Sequence, residues 1–374
     1  MTNPLRQLLE HGQSVWLDNI RRGFTRSGGL ARLVREDGLR GVTSNPTIFE
    51  KAFGEGNDYD DAIKTAVDAG KKPTEIYDTL AVADIQDACD VLSNVYDSTH
   101  GGDGYVSIEL APALAKDTDG SIREALRLWP LVDRRNVMIK VPATDEGMPV
   151  IRRLIGEGLN VNITLMFGES YYERVIDAYF SGLEDRRARG LPLGNIASVA
   201  SCFVSRVDTA ADKRIENAMK SADAATRTRL QALLGKTAIA NAKLLYRCYQ
   251  RSIAGPRFQK LEASGARRQR PLWASTSTKN PQYPDTYYVE ALVGPDTVDT
   301  MPPATIDAFR DHGKVSDTLV SDVEGADETV RALESAGISL KSITDQLLAD
   351  GLIAFEESSA KLLTALDGKV TALA

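Results

Sequence analysis

Lys140 is the residue whose surroundings point most directly to chemistry. It lies in the run Val-Met-Ile-Lys-Val-Pro (137–142), which has the character of a buried strand. Lysine is almost never fully buried without a partner or a function, although a lysine at a strand end can also extend its ammonium group into water. Burial favours the neutral amine, which can attack a carbonyl carbon and form an imine. The position of Lys140 therefore predicts Schiff-base chemistry.

Two carboxylates lie in similar apolar runs. Asp18 ends Val-Trp-Leu-Asp, and Glu109 lies in Val-Ser-Ile-Glu-Leu. Each alone fits a helix cap or an arginine partner equally well, but beside an imine-forming lysine they fit the roles of acid and base. Imine formation requires loss of water, and carbon–carbon cleavage beside an imine requires removal of a hydroxyl proton. We expect both carboxylates to lie one water molecule away from the lysine nitrogen.

Other polar side chains lie at the ends of apolar runs and are candidates for substrate binding. Arg206 and Lys279 are candidate phosphate ligands, with Ser275 as a hydrogen-bond donor, because arginine binds phosphate as a planar fork and lysine as a point charge. The alternative for both cations is an exposed position on an outer loop. Further hydroxyl and amide groups at strand ends belong to Asn45, Asn162, Thr164 and Ser201.

Eight short apolar runs, most of them separated by amphipathic helical stretches, must position these residues. They occupy residues 15–20, 41–46, 105–110, 137–142, 161–167, 195–206, 271–276 and 286–294. Short buried strands that alternate with helices are typical of parallel βα units. Eight such units predict an α/β fold, a closed (β/α)8 TIM barrel, whose active site lies at the carboxyl ends of the strands.

Additional helices are expected at both ends of the chain and in two long connections. The opening run from Asn3 to Gly12 has an N-cap residue, a proline at the first helical position and a closing glycine. The connections at about 47–104 and 207–270 and the tail after about residue 300 also have helical character. We interpret 1–374 as a single barrel domain with a helical C-terminal extension at about 304–374.

Composition and charge argue against several classes of function. The chain has 374 residues and a formal net charge of −7, so nothing favours nucleic acid or an anionic membrane as a partner. The three cysteines have no CxxC spacing and the three histidines are far apart, so neither a disulfide framework nor a metal site is predicted. Residues 1–13 do not resemble a signal peptide and no apolar run reaches membrane-spanning length. A cytoplasmic location is expected, as either a monomer or a homodimer.

Five sequence blocks resemble the transaldolase family, in particular its longer bacterial form. In chain order they are GVTSNPTIFEKA, VMIKVPATDEG, LNVNITLMFG, VASCFVSRVD and PLWASTSTKNP. The resemblance covers roughly residues 10–310 and implies a class I aldolase barrel without a metal or an organic cofactor. It implies transfer of a dihydroxyacetone unit from sedoheptulose 7-phosphate or fructose 6-phosphate to glyceraldehyde 3-phosphate or erythrose 4-phosphate. These are reactions of the non-oxidative pentose phosphate pathway.

The resemblance also implies a role for each candidate residue. Lys140 forms the Schiff base, and Asp18 takes the C4 hydroxyl proton during cleavage. Glu109 assists imine formation and hydrolysis through a water molecule that Thr164 orders. The implied substrate contacts are the hydroxyl groups of the dihydroxyacetone unit for Asn45, Asn162 and Ser201, the pocket wall for Phe203, and phosphate for Arg206 and Ser275.

The expected phosphate site departs from the pattern of the shorter transaldolases. Those enzymes carry Ala-Ser-Phe-Arg-Asn on the seventh strand, and its arginine binds phosphate. This chain has Ser277 in that place and Lys279 two residues later. Lys279 is expected to substitute for the arginine.

Two other functions remain open at this point. A fructose 6-phosphate aldolase, which releases free dihydroxyacetone, resembles transaldolase closely but activates water with a tyrosine where Glu109 stands here. Glu109 and Phe203 favour transfer. The second alternative is a barrel that binds sugar phosphates without catalysis, and the joint presence of Lys140, Asp18 and Glu109 argues against it.

Overall fold

Eight parallel strands form a closed barrel in which each strand pairs with the next along the chain and the last pairs with the first. In the computed structural model, which describes residues 3–54 and 56–373, the strands are β1 (Gln13–Asp18), β2 (Gly41–Thr43), β3 (Tyr105–Glu109), β4 (Val137–Pro142), β5 (Val161–Met166), β6 (Ser198–Phe203), β7 (Arg270–Ala274) and β8 (Thr297–Met301). The predicted (β/α)8 barrel is confirmed. Residues 1, 2, 55 and 374 of the predicted domain lie outside the described part of the chain.

Helices cover the outside of the barrel and fill its long connections. They are α1 (Pro4–Glu10), α2 (Arg22–Arg26), α3 (Gly29–Asp37), α4 (Pro46–Gly54), α5 (Asp60–Asp68), α6 (Pro73–Ser98), α7 (Thr118–Val132), α8 (Gly147–Glu157), α9 (Glu169–Ala188), α10 (Ser205–Met219), α11 (Ala224–Gln231), α12 (Thr237–Ala254), α13 (Pro256–Glu262), α14 (Tyr287–Ala291), α15 (Pro303–His312), α16 (Val323–Ser335) and α17 (Leu340–Leu373). Both long connections are helical, as predicted. Within the described residues, no helix is both long enough and apolar enough to cross a membrane.

The strands are buried on both faces, which explains their apolar composition. Every residue of β5 and β6 is buried, and so is every residue of β4 except its terminal proline. In a parallel barrel one face of each strand packs against the helices and the other against the barrel interior. A polar residue in such a strand therefore needs a hydrogen-bond partner or a ligand.

The first helix begins and ends where its sequence signals place it. The Asn3 side chain accepts a hydrogen bond from the Leu5 backbone N–H at 3.0 Å, and Pro4 occupies the first helical position. Gly12 follows the helix with a φ of 76°, a conformation that glycine adopts without steric cost. Leu5 and Leu8 are fully buried, so this helix adds to the core.

The eighth strand lies later in the chain than predicted. The prediction of a strand at 286–294 was wrong, because this segment contains α14 and the strand begins at Thr297. An apolar run of that length fits either element, and the helical form allows the Tyr288 hydroxyl to donate to Asp208 at 3.0 Å. The true strand lacks an apolar run because two of its buried residues are polar. Asp299 accepts a hydrogen bond from the hydroxyl group of Thr276, in the loop after β7, and the hydroxyl group of Thr300 is hydrogen-bonded to that of Thr43 in β2.

The C-terminal helices pack on the barrel, so the helical tail is confirmed. Helix α15 contacts α1 and β8, and α16 contacts α12. Helix α17 contacts α4, α5, α6, α10 and β5, and Phe355, Leu362 and Leu366 bury its inner face. It therefore lies across the same end of the barrel as the loops that follow the strands.

A buried ion pair anchors α2, the helix that follows β1. Arg22 Nε lies 2.7 Å from Asp84 Oδ1 on α6, and their side chains are 6% and 1% exposed. The Tyr59 hydroxyl donates to the other oxygen of Asp84 at 2.7 Å. This network holds the chain just beyond Asp18 against the long helix α6.

Replacement of Arg22 by methionine is expected to lower the free energy of unfolding by about 3–5 kcal/mol, because it leaves the Asp84 carboxylate buried without its cation. Urea denaturation measures the change. Arg35→Met, which removes an exposed cation beside Glu36, is the control and is expected to change stability by no more than about 0.5 kcal/mol. Equal losses in the two variants would contradict the prediction.

Candidate active site

A cavity of about 480 Å³ opens at the carboxyl ends of the strands. Glu109 and Asn162 are adjacent to Lys140 on neighbouring strands, since the strand register pairs Lys140 with both. The structure thus brings the predicted site residues together at one mouth. All the others line the cavity: Asp18, Asn45, Lys140, Thr164, Ser201, Phe203, Arg206, Ser275 and Lys279.

Lys140 lies on β4 and is only 4% exposed. Its Nζ donates a hydrogen bond to the backbone oxygen of Ser44 at 3.0 Å and lies 3.5 Å from Glu109 Oε2. The second distance is too long for a good charge-assisted hydrogen bond. It is nevertheless shorter than the one-water separation expected from the sequence, so that expectation was wrong for Glu109. The amine is held within reach of a carboxylate without a tight ion pair.

Glu109 ends β3 beside the lysine and is almost completely buried. Burial raises the pKa of Glu109 to about 7, although the positive charge of Lys140 lowers it. Its Oε2 accepts no hydrogen bond from the described residues. A carboxyl group whose pKa lies near neutrality can both donate and accept a proton under working conditions.

Asp18 ends β1 and is oriented by threonines rather than by the lysine. The Thr43 hydroxyl donates to Asp18 Oδ1 at 2.7 Å, and it also lies 2.8 Å from the Thr300 hydroxyl of β8. Burial raises the pKa of Asp18, while the charge of Lys140 and the hydrogen bond from Thr43 lower it. Asp18 is therefore fixed in one orientation, with a basicity above that of an exposed aspartate.

A row of buried amide and hydroxyl groups crosses three strands next to Lys140. Ser201 Oγ donates to Asn162 Oδ1 at 2.7 Å, and Asn162 Nδ2 donates to Ser107 Oγ at 2.9 Å. Thr164 Oγ1 is also buried, and it has no hydrogen-bond partner among the described residues. These fixed polar groups can bind the hydroxyl groups of a small substrate and a water molecule.

The Asn45 side chain both caps helix α4 and lines the cavity. Its side-chain oxygen accepts a hydrogen bond from the Ile48 backbone N–H at 3.0 Å, which satisfies a free donor in the first turn of α4. The oxygen is therefore used by the helix, and the amide NH2 group is the part that can donate to a ligand in the cavity.

Cations gather at the side of the cavity formed by the start of α10, which follows β6, and by the loop after β7. Arg206 Cζ lies 5.0 Å from the centroid of the Phe203 ring, and Lys279 Nζ donates to Ser277 Oγ at 2.6 Å. Lys279 is exposed at the cavity rim, but partial desolvation lowers its pKa, as do the charges of Arg206 and, less strongly, Lys51. Because none of these cations is paired with a carboxylate within the described residues, the cluster is suited to bind a phosphate.

Ser275 lies between the strand end and this cluster in a strained backbone conformation. Its φ is 56°, in the left-handed region that non-glycine residues seldom adopt. Its hydroxyl lies 3.0 Å from that of Ser205. Such conformations persist where the surrounding structure enforces them and concentrate at functional sites, which agrees with the candidate role of Ser275 in phosphate binding.

Several residues that shape the cavity were missed in the sequence. Lys51 and Phe355 line it, Thr43 orients Asp18, and the Ser44 backbone holds Lys140. Lys51 and Thr43 lie in the same sequence block as Asn45, and a search of that block for further polar residues would have found them. Phe355 had no local signal, because it reaches the barrel from the C-terminal helix.

Fold and site together define a (β/α)8-barrel enzyme with a buried lysine beside a cationic cavity. Residues 15–366 match the family model described as transaldolase/fructose-6-phosphate aldolase. The chain therefore belongs to the transaldolase/fructose-6-phosphate aldolase family, and the resemblance seen in the sequence is confirmed.

Relatives that match this chain over nearly their whole length are named transaldolase. The chain is 44% identical to the transaldolase of Trichodesmium erythraeum, over 100% of this chain and 99% of the relative. It is 45% identical to transaldolase 2 of Nostoc punctiforme, with 100% and 99% covered. It is 47% identical to the transaldolase of Acidothermus cellulolyticus, with 98% and 96% covered. The similarity thus extends over the C-terminal helices as well as the barrel.

The raised pKa of Glu109 predicts that the free energy of unfolding depends on pH. A glutamate ordinarily titrates at 4.5, but Glu109 does so at about 7, so between these values the folded chain binds more protons than the unfolded chain. The stability of the parent chain relative to Glu109→Gln must therefore fall as pH rises. We expect a fall of about 2–3 kcal/mol between pH 5 and pH 8, measured by urea denaturation. Glu36→Gln, at an exposed carboxylate, is the control, and a flat difference for Glu109→Gln would contradict the assignment.

Proposed function

We propose that this chain catalyses the transaldolase reaction through a Schiff base on Lys140. It moves a dihydroxyacetone unit from sedoheptulose 7-phosphate or fructose 6-phosphate to an aldose phosphate, as a step of the non-oxidative pentose phosphate pathway. The observation that carries the proposal is the placement of Lys140, 4% exposed and 3.5 Å from Glu109, in the same cavity as the cation cluster. The full-length likeness to relatives named transaldolase supports it.

Imine formation uses the lysine and the carboxyl group beside it. The neutral Lys140 amine attacks the C2 carbonyl of the ketose, and the resulting carbinolamine loses water. Glu109, whose pKa is about 7, donates the proton that leaves with this water and takes one back during hydrolysis. The buried Oε2 of Glu109 and Oγ1 of Thr164 are the atoms that hold the water molecule between them.

Carbon–carbon cleavage uses Asp18 as the base. Asp18 removes the proton of the C4 hydroxyl, the C3–C4 bond breaks, and its electrons pass into the imine to give an enamine. The aldose phosphate leaves, and the three-carbon enamine stays attached to Lys140. It attacks the aldehyde of the incoming acceptor, Asp18 returns the proton, and hydrolysis of the new imine releases the product ketose.

A single phosphate site serves both donor and acceptor. The dihydroxyacetone unit that remains on the lysine carries no phosphate, whereas the departing and the incoming aldose each carry one. Arg206, Lys279 and Ser275 bind that phosphate, and Lys51 of α4 supplies a further positive charge. The hydroxyl groups of the bound unit contact Asn45, Asn162 and Ser201.

The barrel and its C-terminal helices act as one domain in this proposal. Phe355 of α17 lines the same cavity as Lys140, and α17 contacts α4 and β5, which carry other cavity residues. A barrel that ended after β8 would lack one wall of its own active site.

Borohydride reduction in the presence of fructose 6-phosphate is expected to trap a three-carbon adduct on Lys140, because the enamine fragment stays attached after cleavage. Peptide mapping by mass spectrometry locates the added mass. Lys140→Met is expected to remove the adduct, whereas Lys64→Met, at an exposed lysine of α5, is the matched control and retains it. An adduct on another lysine would overturn the proposal.

The alternative of a fructose 6-phosphate aldolase is tested with free dihydroxyacetone and glyceraldehyde 3-phosphate in the absence of a ketose donor. Transfer predicts little product in this mixture compared with the complete donor and acceptor pair. Rapid condensation of the two free compounds would instead assign the chain to aldol cleavage and synthesis.

Removal of a phosphate ligand is expected to weaken binding of the phosphorylated substrates alone. Arg206→Ala and Lys279→Ala should each raise KM for fructose 6-phosphate by about 10- to 100-fold, since a hydrogen bond to a charged group is worth about 1.5–3 kcal/mol. Steady-state kinetics measure this. Trapping of unphosphorylated dihydroxyacetone on Lys140 is the control and should be unaffected in both variants. If it falls in parallel with fructose 6-phosphate binding, these cations do not act on phosphate.

A further inference from the structure

The strand that carries Thr164 is irregular at that residue. The pairing of β5 with β6 shifts register between Ile163 and Met166. Leu165, the residue after Thr164, has a φ of 53°, in the left-handed region that is costly for a side chain of this size. The direction of the Thr164 hydroxyl therefore depends on a backbone conformation that β5 does not favour by itself.

The C-terminal helix α17 packs directly on this irregular point. Leu165 is 1% exposed, and it lines a small cavity together with Leu352 and Phe355 of α17 and with Glu109. Gly351 faces it so closely that an added Cβ would lie 2.9 Å from Leu165 Cδ2 and 3.9 Å from Arg206 Nη1. Only a residue without a side chain fits at position 351 without moving Leu165.

Helix α17 is held in place by hydrogen bonds on both sides of Gly351. The Tyr171 hydroxyl donates to Asp345 at 2.8 Å, and the hydroxyls of Thr47 and Ser358 lie 2.9 Å apart. Further along, Lys369 Nζ lies 2.9 Å from Asp60. A helix fixed in this way can hold a strained neighbour, because strain persists only where packing enforces it.

We propose that the Gly351 contact of α17 holds Leu165 in its strained conformation and thereby positions Thr164 for the steps that add and remove water at the imine. Gly351 and Leu165 are positioning residues, since neither touches the reacting atoms. The inference rests on the proposed function and assigns the C-terminal helix a part in the chemistry of the barrel.

The test is Gly351→Ala, with Gly368→Ala as a matched control on the same helix. An added Cβ at Gly368 meets nothing within 4 Å, and alanine favours a helix interior equally at both sites. The reaction step is read from the uptake of ¹⁸O from labelled water into the C2 carbonyl of fructose 6-phosphate. This exchange requires only imine formation and hydrolysis, not carbon–carbon cleavage.

Gly351→Ala is expected to lower the exchange rate and kcat by the same factor, about 10- to 100-fold, and to change KM by less than about threefold. Gly368→Ala should behave as the parent chain does. In a Thr164→Val background Gly351→Ala should cause little further loss, because both changes remove the same contribution. General damage to the fold would instead add its own loss in that background.

Leu165→Ala removes the side chain that the alanine at position 351 would displace, and it provides a second variant, with thermal unfolding as the check that each protein is folded. It should reduce oxygen exchange and should likewise add little to Thr164→Val. Normal exchange in folded Gly351→Ala or Leu165→Ala, or full additivity with Thr164→Val, would overturn this inference alone. No transfer and no exchange by the parent chain would overturn the proposed function, and this inference with it.

Discussion

The burial of one amine sets the conditions for the rest of this site. An isolated buried ammonium group is unstable in a protein interior, whereas a tight ion pair with a carboxylate favours the charged form of an amine over the nucleophilic neutral form. The surroundings of Lys140 lie between these two extremes. The Ser44 carbonyl accepts a hydrogen bond from Nζ, and the Glu109 carboxylate lies at 3.5 Å. Lys140 thus has a carboxylate within reach without a tight ion pair, and burial raises the pKa of that neighbouring carboxyl group, Glu109, to about 7.

Asp18 connects the two chemically distinct parts of the cavity. The charge of Lys140 lowers its pKa from one side, and the charges of Lys279 and Arg206 do so from the other. Partial desolvation lowers the pKa of both of these cations, and the charge of Arg206 lowers the pKa of Lys279 further. Before a phosphate enters, Asp18 is therefore the negative charge that partly offsets the cation cluster. Under the proposed function, a bound phosphate would add a second negative charge beside these cations and would raise the pKa of Asp18.

The sequence was most informative where a polar site residue lies within a strand that is otherwise apolar. Lys140, Asn162 and Ser201 lie in strands that are apolar almost throughout, so their strand positions and their common mouth could be predicted. Strand β8 could not be predicted from an apolar run, because it contains Asp299 and Thr300. These two polar residues are buried because other side chains satisfy their hydrogen bonds. Phe355 could not be predicted, because its place in the cavity depends on how α17 packs and not on any residue beside it.

The orientation of Asp18 depends on residues from both ends of the barrel sequence. Thr43 holds its carboxylate and is itself in contact with Thr300, and β1 pairs with β8. During synthesis the ribosome must therefore add some 280 further residues after Asp18 before this arrangement can form. Because domains fold as units and long-range pairing is slow, a nascent chain that already contains Lys140, Glu109 and Arg206 still lacks the β8 side of this support, including Thr300. Under the proposed function, the carbon–carbon cleavage step therefore requires the chain to be synthesised through β8.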